Sequence, residues 1–285
     1  MVCCSDTHGL HRKVEIPKGD IFIHAGDFTR CANLEDARDF NDWLGDEDIF
    51  GDFKLKIVVN GNHESTASWQ QDIRNILSNA VFLKNELYEF DSCENNIGDC
   101  DSRASTSNKT DCNSTVQGKS NRRSLKIWGC NFFWPMEDTP NPYLEDIPKD
   151  VDIIVAHGPA KNYVDAGHGC NSLLNRVKQL VGHRESKKRF RFPSFTMNKS
   201  KHLKTNVEDL DTRLLVVSGH IHMAHGVQHM AINNSSGKKV TFVNAANANN
   251  EHSKGDGRGW ETSLHDKQKT RGEYIVEWQP VVVEL

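Results

Sequence analysis

No apolar run in the 285-residue chain approaches the roughly 18 residues that a membrane-spanning helix needs, so no membrane partner is expected. The first residues, Met1-Val2-Cys3-Cys4, leave no room for a charged start, an apolar segment and a cleavage site before Ser5-Asp6-Thr7-His8. A soluble cytoplasmic protein is the expectation. In that compartment the eight cysteines stay reduced, and sequons such as Asn108-Lys109-Thr110 and Asn113-Ser114-Thr115 carry no glycan. A dominant charge of one sign is missing as well. The net charge of −4 gives no global reason for a nucleic-acid or acidic-membrane partner, and any such case must come from a local patch. No internal repeat at a fixed period is present. Val2 to Cys4 is short for a central strand, so the natural chain could begin earlier.

What the chain does contain is a set of apolar stretches that end in polar residues. Ile57-Val58-Val59 runs into Asn60-Gly61-Asn62-His63-Glu64, Ile21-Phe22-Ile23-His24-Ala25 into Gly26-Asp27, Ile153-Ile154-Val155-Ala156 into His157-Gly158-Pro159, and Leu214 to Ser218 into Gly219-His220-Ile221-His222. Alone, each junction could be turn chemistry, since Asn-Gly is a common turn pair. Repeated, the pattern marks the carboxyl ends of strands, where an open α/β sheet presents its ligands. Asp6-x-His8 follows the short first strand, and a period of two sends both side chains to one side.

Between these strands the spacing predicts helices. One covers Asn33 to Leu44, with Asn33 as N-cap and Leu34, Ala37, Phe40, Trp43 and Leu44 facing the core. A second is predicted over Ser68 to Leu77, with Trp69, Ile73, Ile76 and Leu77 inward, and a third over Asn171 to Val181 with Asn171 or Ser172 as cap. Strand, helix, strand, helix is the order of a largely parallel sheet. Val81 to Leu83, Leu87 to Phe90, Leu125 to Cys130, Gly226 to Met230, Lys239 to Ala245 and Tyr274 to Glu284 read as further strands, enough for a second sheet packed on the first. Asn131 to Pro148 reads as a loop. A single domain over residues 1–285 is the expected organisation, interrupted twice.

The first interruption, 91–124, is Asp, Asn, Ser, Thr, Lys and Arg with Ile97, Ala104 and Val116 nearly its only apolar side chains, and reads as a disordered insertion. Its Cys93, Cys100 and Cys112 lack a zinc spacing and a nearby histidine. The second, 184–204, is a basic loop with Phe190, Phe192 and Phe195 interleaved. Such a run could grip a phosphate-rich partner such as nucleic acid, although a solvated loop is the commoner outcome.

Gathered at one edge, the strand ends supply Asp6, His8, Asp27, Asn62, His63, His157, His220 and His222. Carboxylate and amide oxygens with imidazole nitrogens and no thiolate suit manganese, iron, zinc or magnesium. The set exceeds what one ion needs. Two divalent ions about 3.5 to 4 Å apart, sharing a carboxylate, fit it better. His24, His168, His183, His225, His229, His252 and His265 are read as structural, and Phe40, Trp43 and Trp69 as core. Trp134 and Trp260 lie in loops that could line a substrate mouth, though structural use is commoner.

In order from Asp6 to His222, the motifs D-x-H, G-D, G-N-H-E, H-G-P and G-H-x-H resemble those of the calcineurin-like metallophosphoesterase superfamily. The flanks Gly26-Asp27-Phe28-Thr29, His157-Gly158-Pro159 and Gly219-His220-Ile221-His222 are similar to its metallophosphoesterase-domain-containing branch, close to class III cyclic-nucleotide phosphodiesterases, and Val243-Asn244-Ala245 is a further family-like stretch. The resemblance implies an α/β fold, a four-layer α-β-β-α sandwich of two mixed sheets with a dinuclear metal site at the carboxyl ends of the strands. It implies Asp6, His8, Asp27 and His222 around one ion, and Asp27 as a bridge with Asn62, His157 and His220 around the other, manganese being the first candidate. His63 is implied as the catalytic residue beside the substrate phosphate, giving a hydrogen bond or proton to the leaving group, with an Asp or Asn side chain orienting it. The implied reaction is hydrolysis of a phosphate ester by a metal-activated hydroxide, a nucleotide or aryl phosphodiester before a monoester. Glu64 stands where many members carry Asp, and both insertions depart from compact members. The contrasting expectation is a non-catalytic scaffold or binding protein with this fold, which would be free to lose ligands; no motif is missing here. Nothing in the sequence speaks to oligomeric state.

Overall fold

The computed structural model describes residues 1–91, 124–133, 140–182, 204–205, 212–232, 238–250 and 274–284. The sequence expectations for Cys93, Cys100, Cys112, Trp134, His183, His252, Trp260 and His265, and nearly all of both insertions, lie outside these residues.

Among the described residues the fold contains two six-stranded mixed sheets. The first is built from β1 (Val2–Cys4), β2 (Ile21–His24), β3 (Leu55–Val59), β4 (Val81–Leu83), β8 (Lys204–Thr205) and β14 (Val281–Val283), in the order β4-β3-β2-β1-β14-β8. All its pairs are parallel except β1 with β14. The second contains β5 (Glu86–Phe90), β6 (Leu125–Gly129), β7 (Ile153–Val155), β9 (Thr212–Ser218), β10 (Gly226–Ala231) and β11 (Lys239–Asn244), in the order β10-β11-β9-β7-β6-β5. Its three central pairs are parallel and its outer pairs antiparallel. A short antiparallel ribbon, β12 (Ala248–Asn250) with β13 (Tyr274–Val276), stands apart.

The strands read as continuous apolar runs because both faces of each sheet are covered. Alternate residues go to different cores. Ile23, Ile57 and Val59 of the first sheet meet Ile127, Ile153, Val155, Leu215 and Val217 of the second in the layer between the sheets. Their neighbours Phe22 and Val58 face outward onto Phe40, Trp43, Leu44 and Ile73, while Ile154 and Val216 pack on Leu173, Leu174 and Val177. The outward residues are covered by α1 (Leu34–Leu44), α2 (Glu47–Phe50) and α3 (Ile73–Ile76) on one side and α4 (Asn171–Leu180) on the other, completing four layers. No helix among the described residues is long and apolar enough to cross a membrane.

α1 has the expected cap, with Asn33 Oδ1 accepting from the amides of Glu35 and Asp36 at 2.8 and 3.3 Å. Two other helices differ from expectation. In place of one helix over 68–77 there is a 3-10 turn at Gln70–Asp72 and a single α-turn at Ile73–Ile76. Tertiary hydrogen bonds hold the start of this segment out of a helix: Trp69 Nε1 donates to the Ala32 carbonyl at 2.9 Å, and Gln70 exchanges two bonds with Asn60. α4 is capped by Cys170, whose sulfur accepts from the Leu173 amide at 3.4 Å, not by Asn171 or Ser172. Cys170 is fixed there because its own amide donates to the Pro159 carbonyl at 2.8 Å. The loop over 131–148 also contains a 3-10 turn, Pro142–Leu144.

Candidate metal centre

All eight residues singled out from the strand ends meet at one edge of the two sheets. Asp6 Oδ1 lies 3.1 Å from His222 Nε2 and 3.9 Å from His8 Nε2, while its Oδ2 accepts the His220 amide at 2.9 Å. The His8 and His222 Nε2 atoms are 3.3 Å apart. On the other side, His157 Nε2 is 3.3 Å from Asp27 Oδ2 and 3.1 Å from Asn62 Oδ1, and His220 Nδ1 is 2.9 Å from the same amide oxygen. The His157 and Asp6 side chains approach to 3.9 Å, so the two halves adjoin.

Asp6 and His8 do not converge by strand alternation, as their spacing suggested. Both lie past the end of β1 in left-handed backbone conformations, φ 55° and 45°, as do Asp27 and His220 at 56° and 67°. Asp and His are among the side chains that tolerate this region best. The turn is held by main-chain bonds from the amides of Asp6 and His8 to the carbonyls of Gly26 and Asp27, at 2.9 and 3.0 Å. Buried beneath it, His24 Nε2 lies 3.1 Å from Thr7 Oγ1 and anchors the residue between the two ligands. Two motif glycines are set by close approach. A Cβ on Gly61 would sit 2.0 Å from Asp27 Oδ1, and one on Gly219 2.1 Å from Asp6 Oδ2.

Glu64 is not a partner of the His63 ring. Fully buried, it accepts from the amides of Asp27, Gly61 and Thr29 at 2.9, 3.0 and 2.9 Å and from the Thr29 hydroxyl at 2.8 Å. It therefore ties the loop after β2 to the loop after β3. Nor, among the described residues, does an Asp or Asn side chain hold His63 Nδ1. That atom lies 3.1 Å from the Thr29 carbonyl and 3.0 Å from the Cys31 amide nitrogen. When protonated, Nδ1 donates to the carbonyl; when bare, it accepts the amide. The ring is seated in either state, with Nε2 3.8 Å from Asp27 Oδ2 and the side chain 17% exposed.

Electrostatics separate the groups. Burial opposes charge on Asp6 and Asp27, yet the histidines around them, His157 foremost, hold both carboxyls below their ordinary range. Burial likewise opposes charge on His157, but Asp27 and Asp6 push it up to about 9. Burial, reinforced by neighbouring histidines, takes His8 and His220 down to about 3. Burial and the nearby Asp27 raise Glu64 to about 7.

The donors fit divalent cations. Asp6, His8 and His222 form one group in which one ligand atom per residue lies within 4.8 Å of the others, and Asp27, His157 and His220 form another. His157 Nδ1 donates to the Ala25 carbonyl at 2.7 Å, which turns Nε2 toward Asp27 and Asn62 as a ligand requires. A third such group, His8, Asp27 and His63, places the His63 ring at ligand range too.

Thr29 and Glu64 stood in the quoted motifs without their tie to each other being foreseen, and other supporting residues carried no signal in the sequence. Asn247 Oδ1 accepts the Ser5 amide at 3.2 Å, and Phe132 sets its ring against His157 and His220 at centroid distances of 5.5 and 5.4 Å. Asn244, in a stretch that the motif comparison did mark, donates to the carbonyls of Gly219 and Ile221 at 3.3 and 3.0 Å and so fixes the G-H-x-H turn. Behind Phe132 is a cavity of about 20 Å³ lined by Cys130, Asn141, Cys170 and Leu173, room for one water.

Fold and donor set together define a four-layer α/β protein built to hold divalent metal at its strand ends. The chain belongs to the calcineurin-like phosphoesterase family, whose profile matches residues 1–224. It is 30% identical over 195 residues to metallophosphoesterase domain-containing protein 1 of Homo sapiens, and equally to that of Mus musculus, covering 63% of this chain and 56% of each relative. It is 25% identical over 268 residues to UPF0046 protein K07C11.7 of Caenorhabditis elegans, covering 87% of this chain and 70% of that protein. The chain thus spans little more than half the length of the mammalian relatives it matches.

Proposed function

We propose that this protein hydrolyses phosphate esters, preferring nucleotide or aryl phosphodiesters, with two divalent cations held between the strand ends. One observation carries the reading: the adjoining triads Asp6, His8, His222 and Asp27, His157, His220, with Asn62 between His157 and His220. Bound there, two cations such as manganese would acidify water and withdraw charge from the phosphoryl oxygens.

The chain's own residues do the rest. In this reading Asp27 is shared, because its carboxylate comes within ligand range of His157 and His220 on one side and of His8 on the other. Asp6, His8 and His222 belong to one ion in this proposal, and Asn62, His157 and His220 to the other. His63 has its Nε2 3.8 Å from Asp27 Oδ2 on a side chain 17% exposed, and a proton can pass from it to the departing alkoxide. Its seat on Thr29 and Cys31 accepts the ring before and after that transfer. Preference for diesters draws on the likeness to class III phosphodiesterases. A cytoplasmic location and a single domain are part of the same proposal.

The test is turnover of p-nitrophenyl phenyl phosphate and of p-nitrophenyl phosphate by the purified chain, after chelation and again after manganese is restored. We expect metal-dependent hydrolysis, with the higher kcat/KM on the diester. Equal or better monoester hydrolysis would overturn the substrate preference. No turnover with manganese, iron, zinc or magnesium would support a non-catalytic binding protein instead.

A further inference from the structure

We infer that Arg30 selects substrates at this centre by recognising a second negative charge, a carboxylate or phosphate, on the part of the ester that does not leave. The inference rests on the phosphoesterase reading and names the substrate class within it.

Position is the first argument. Arg30 stands between Thr29 and Cys31, the two residues whose carbonyl and amide flank His63 Nδ1. Its side chain turns toward the strand end that carries His8: a Cβ on the next residue, Gly9, would come within 3.0 Å of Arg30 Nε. The guanidinium therefore lies against the residue that follows His8, on the loop whose main chain seats the His63 ring, outside the donors that hold metal.

Pre-organisation is the second. Asp36, in the first turn of α1, accepts the Arg30 amide at 2.8 Å, Nε at 3.2 Å and Nη2 at 3.0 Å. These three bonds fix the inner edge of the guanidinium and leave Nη1 outside them, on a side chain 59% exposed. A planar fork held in this way suits a carboxylate or phosphate oxygen pair.

The path of the backbone is the third. Cys31 and Ala32 are both left-handed, φ 51° and 62°, and Trp69 holds the loop by donating to the Ala32 carbonyl at 2.9 Å. Such conformations cost residues with a Cβ roughly 1 kcal/mol or more each. The backbone that carries Arg30 is thus held in one course beside the seat of His63. The scissile phosphoryl group faces cations and His63, so the anion left for Arg30 is another one on the same substrate.

The experiment compares two diesters with a common leaving group, p-nitrophenyl phenyl phosphate and p-nitrophenyl 4-carboxyphenyl phosphate, on the manganese-loaded full chain. The ratio of their kcat/KM values is the readout, in wild type, Arg30→Gln and Arg30→Lys. Wild type is expected to favour the carboxylated ester about tenfold, the size of one charge-assisted hydrogen bond. Arg30→Gln brings the ratio near one, and Arg30→Lys keeps part of it. A ratio unchanged in Arg30→Gln overturns the inference, as does a parallel loss on both esters, which would make Arg30 a support of the His63 loop. The wild-type rate on the ester without a carboxylate separately tests the phosphoesterase reading; if neither ester turns over, both readings fall.

Discussion

Replacing Glu64 by Gln separates metal-linked from metal-independent roles of one buried carboxylate. The carboxylate faces four donors and no acceptor, namely the amides of Asp27, Gly61 and Thr29 and the Thr29 hydroxyl. A glutamine oxygen can keep two of them. The Thr29 hydroxyl can turn to accept from the new amide, but the Thr29 amide cannot, and it is left buried without an acceptor at a cost of about 1–3 kcal/mol. Loss of charge from the remaining bonds adds to this, for about 2–4 kcal/mol in all. The rise of this group from 4.5 to about 7, driven by burial and Asp27, is what remains after the Thr29 bonds have lowered it, so the roughly 3 kcal/mol at neutral pH already includes those bonds. In chelated protein the relief from removing the charge therefore offsets the lost anchors, and Glu64→Gln should be at least as resistant to urea as wild type. With cations on Asp27 the relief disappears while the lost anchors remain. Manganese affinity should then fall roughly 10- to 100-fold, the range for residues that orient ligands, as read by isothermal titration. Unchanged affinity, or equal destabilisation with and without metal, would refute the reasoning.

Further outcomes follow from the same geometry. His63→Ala should lower kcat on a diester roughly 100-fold while leaving two manganese ions bound, and the loss should grow with the pKa of the leaving alcohol; a flat dependence would remove His63 from proton transfer. In chelated protein, burial depresses His24 to about 3 and His225 to about 4, so both stay neutral in the fold while the unfolded chain takes up protons below about 6.5. Stability is therefore full above that pH and falls as pH drops toward 4, by about 1 kcal/mol per unit for His24 alone, which urea midpoints at pH 7.5 and 5.5 will show. Gly61→Ala should abolish manganese binding, because its Cβ would overlap Asp27 Oδ1; full occupancy by elemental analysis would contradict that.

Much of this architecture is legible along the chain where the cause is local. Asn33 before an apolar stripe names its helix start, and runs such as Ile57-Val58-Val59 are apolar throughout because helices cover one face and the other sheet covers the second. The residues that meet at the sheet edge are legible too, since each follows such a run. What the chain hides is set by distant partners. Glu64 binds Thr29 across 35 positions and His24 meets Thr7 across 17, and neither spacing has a periodicity to betray it. The convergence of Asp6 and His8 was inferred from strand alternation but arises from left-handed turns braced on Gly26 and Asp27. The segment at 68–77 carries a helical pattern, yet Trp69 and Gln70 bond elsewhere and shorten it to one turn. Cys170 caps α4 although sulfur is a weak acceptor, because its amide is already pinned to Pro159.

The most direct test of the central claim is the number of cations the centre holds. Equilibrium dialysis of chelated protein against manganese, with turnover followed at each step, should reach two ions per chain, and activity should appear as the second site fills. Binding that stops at one ion, or activity complete with one, would contradict the account.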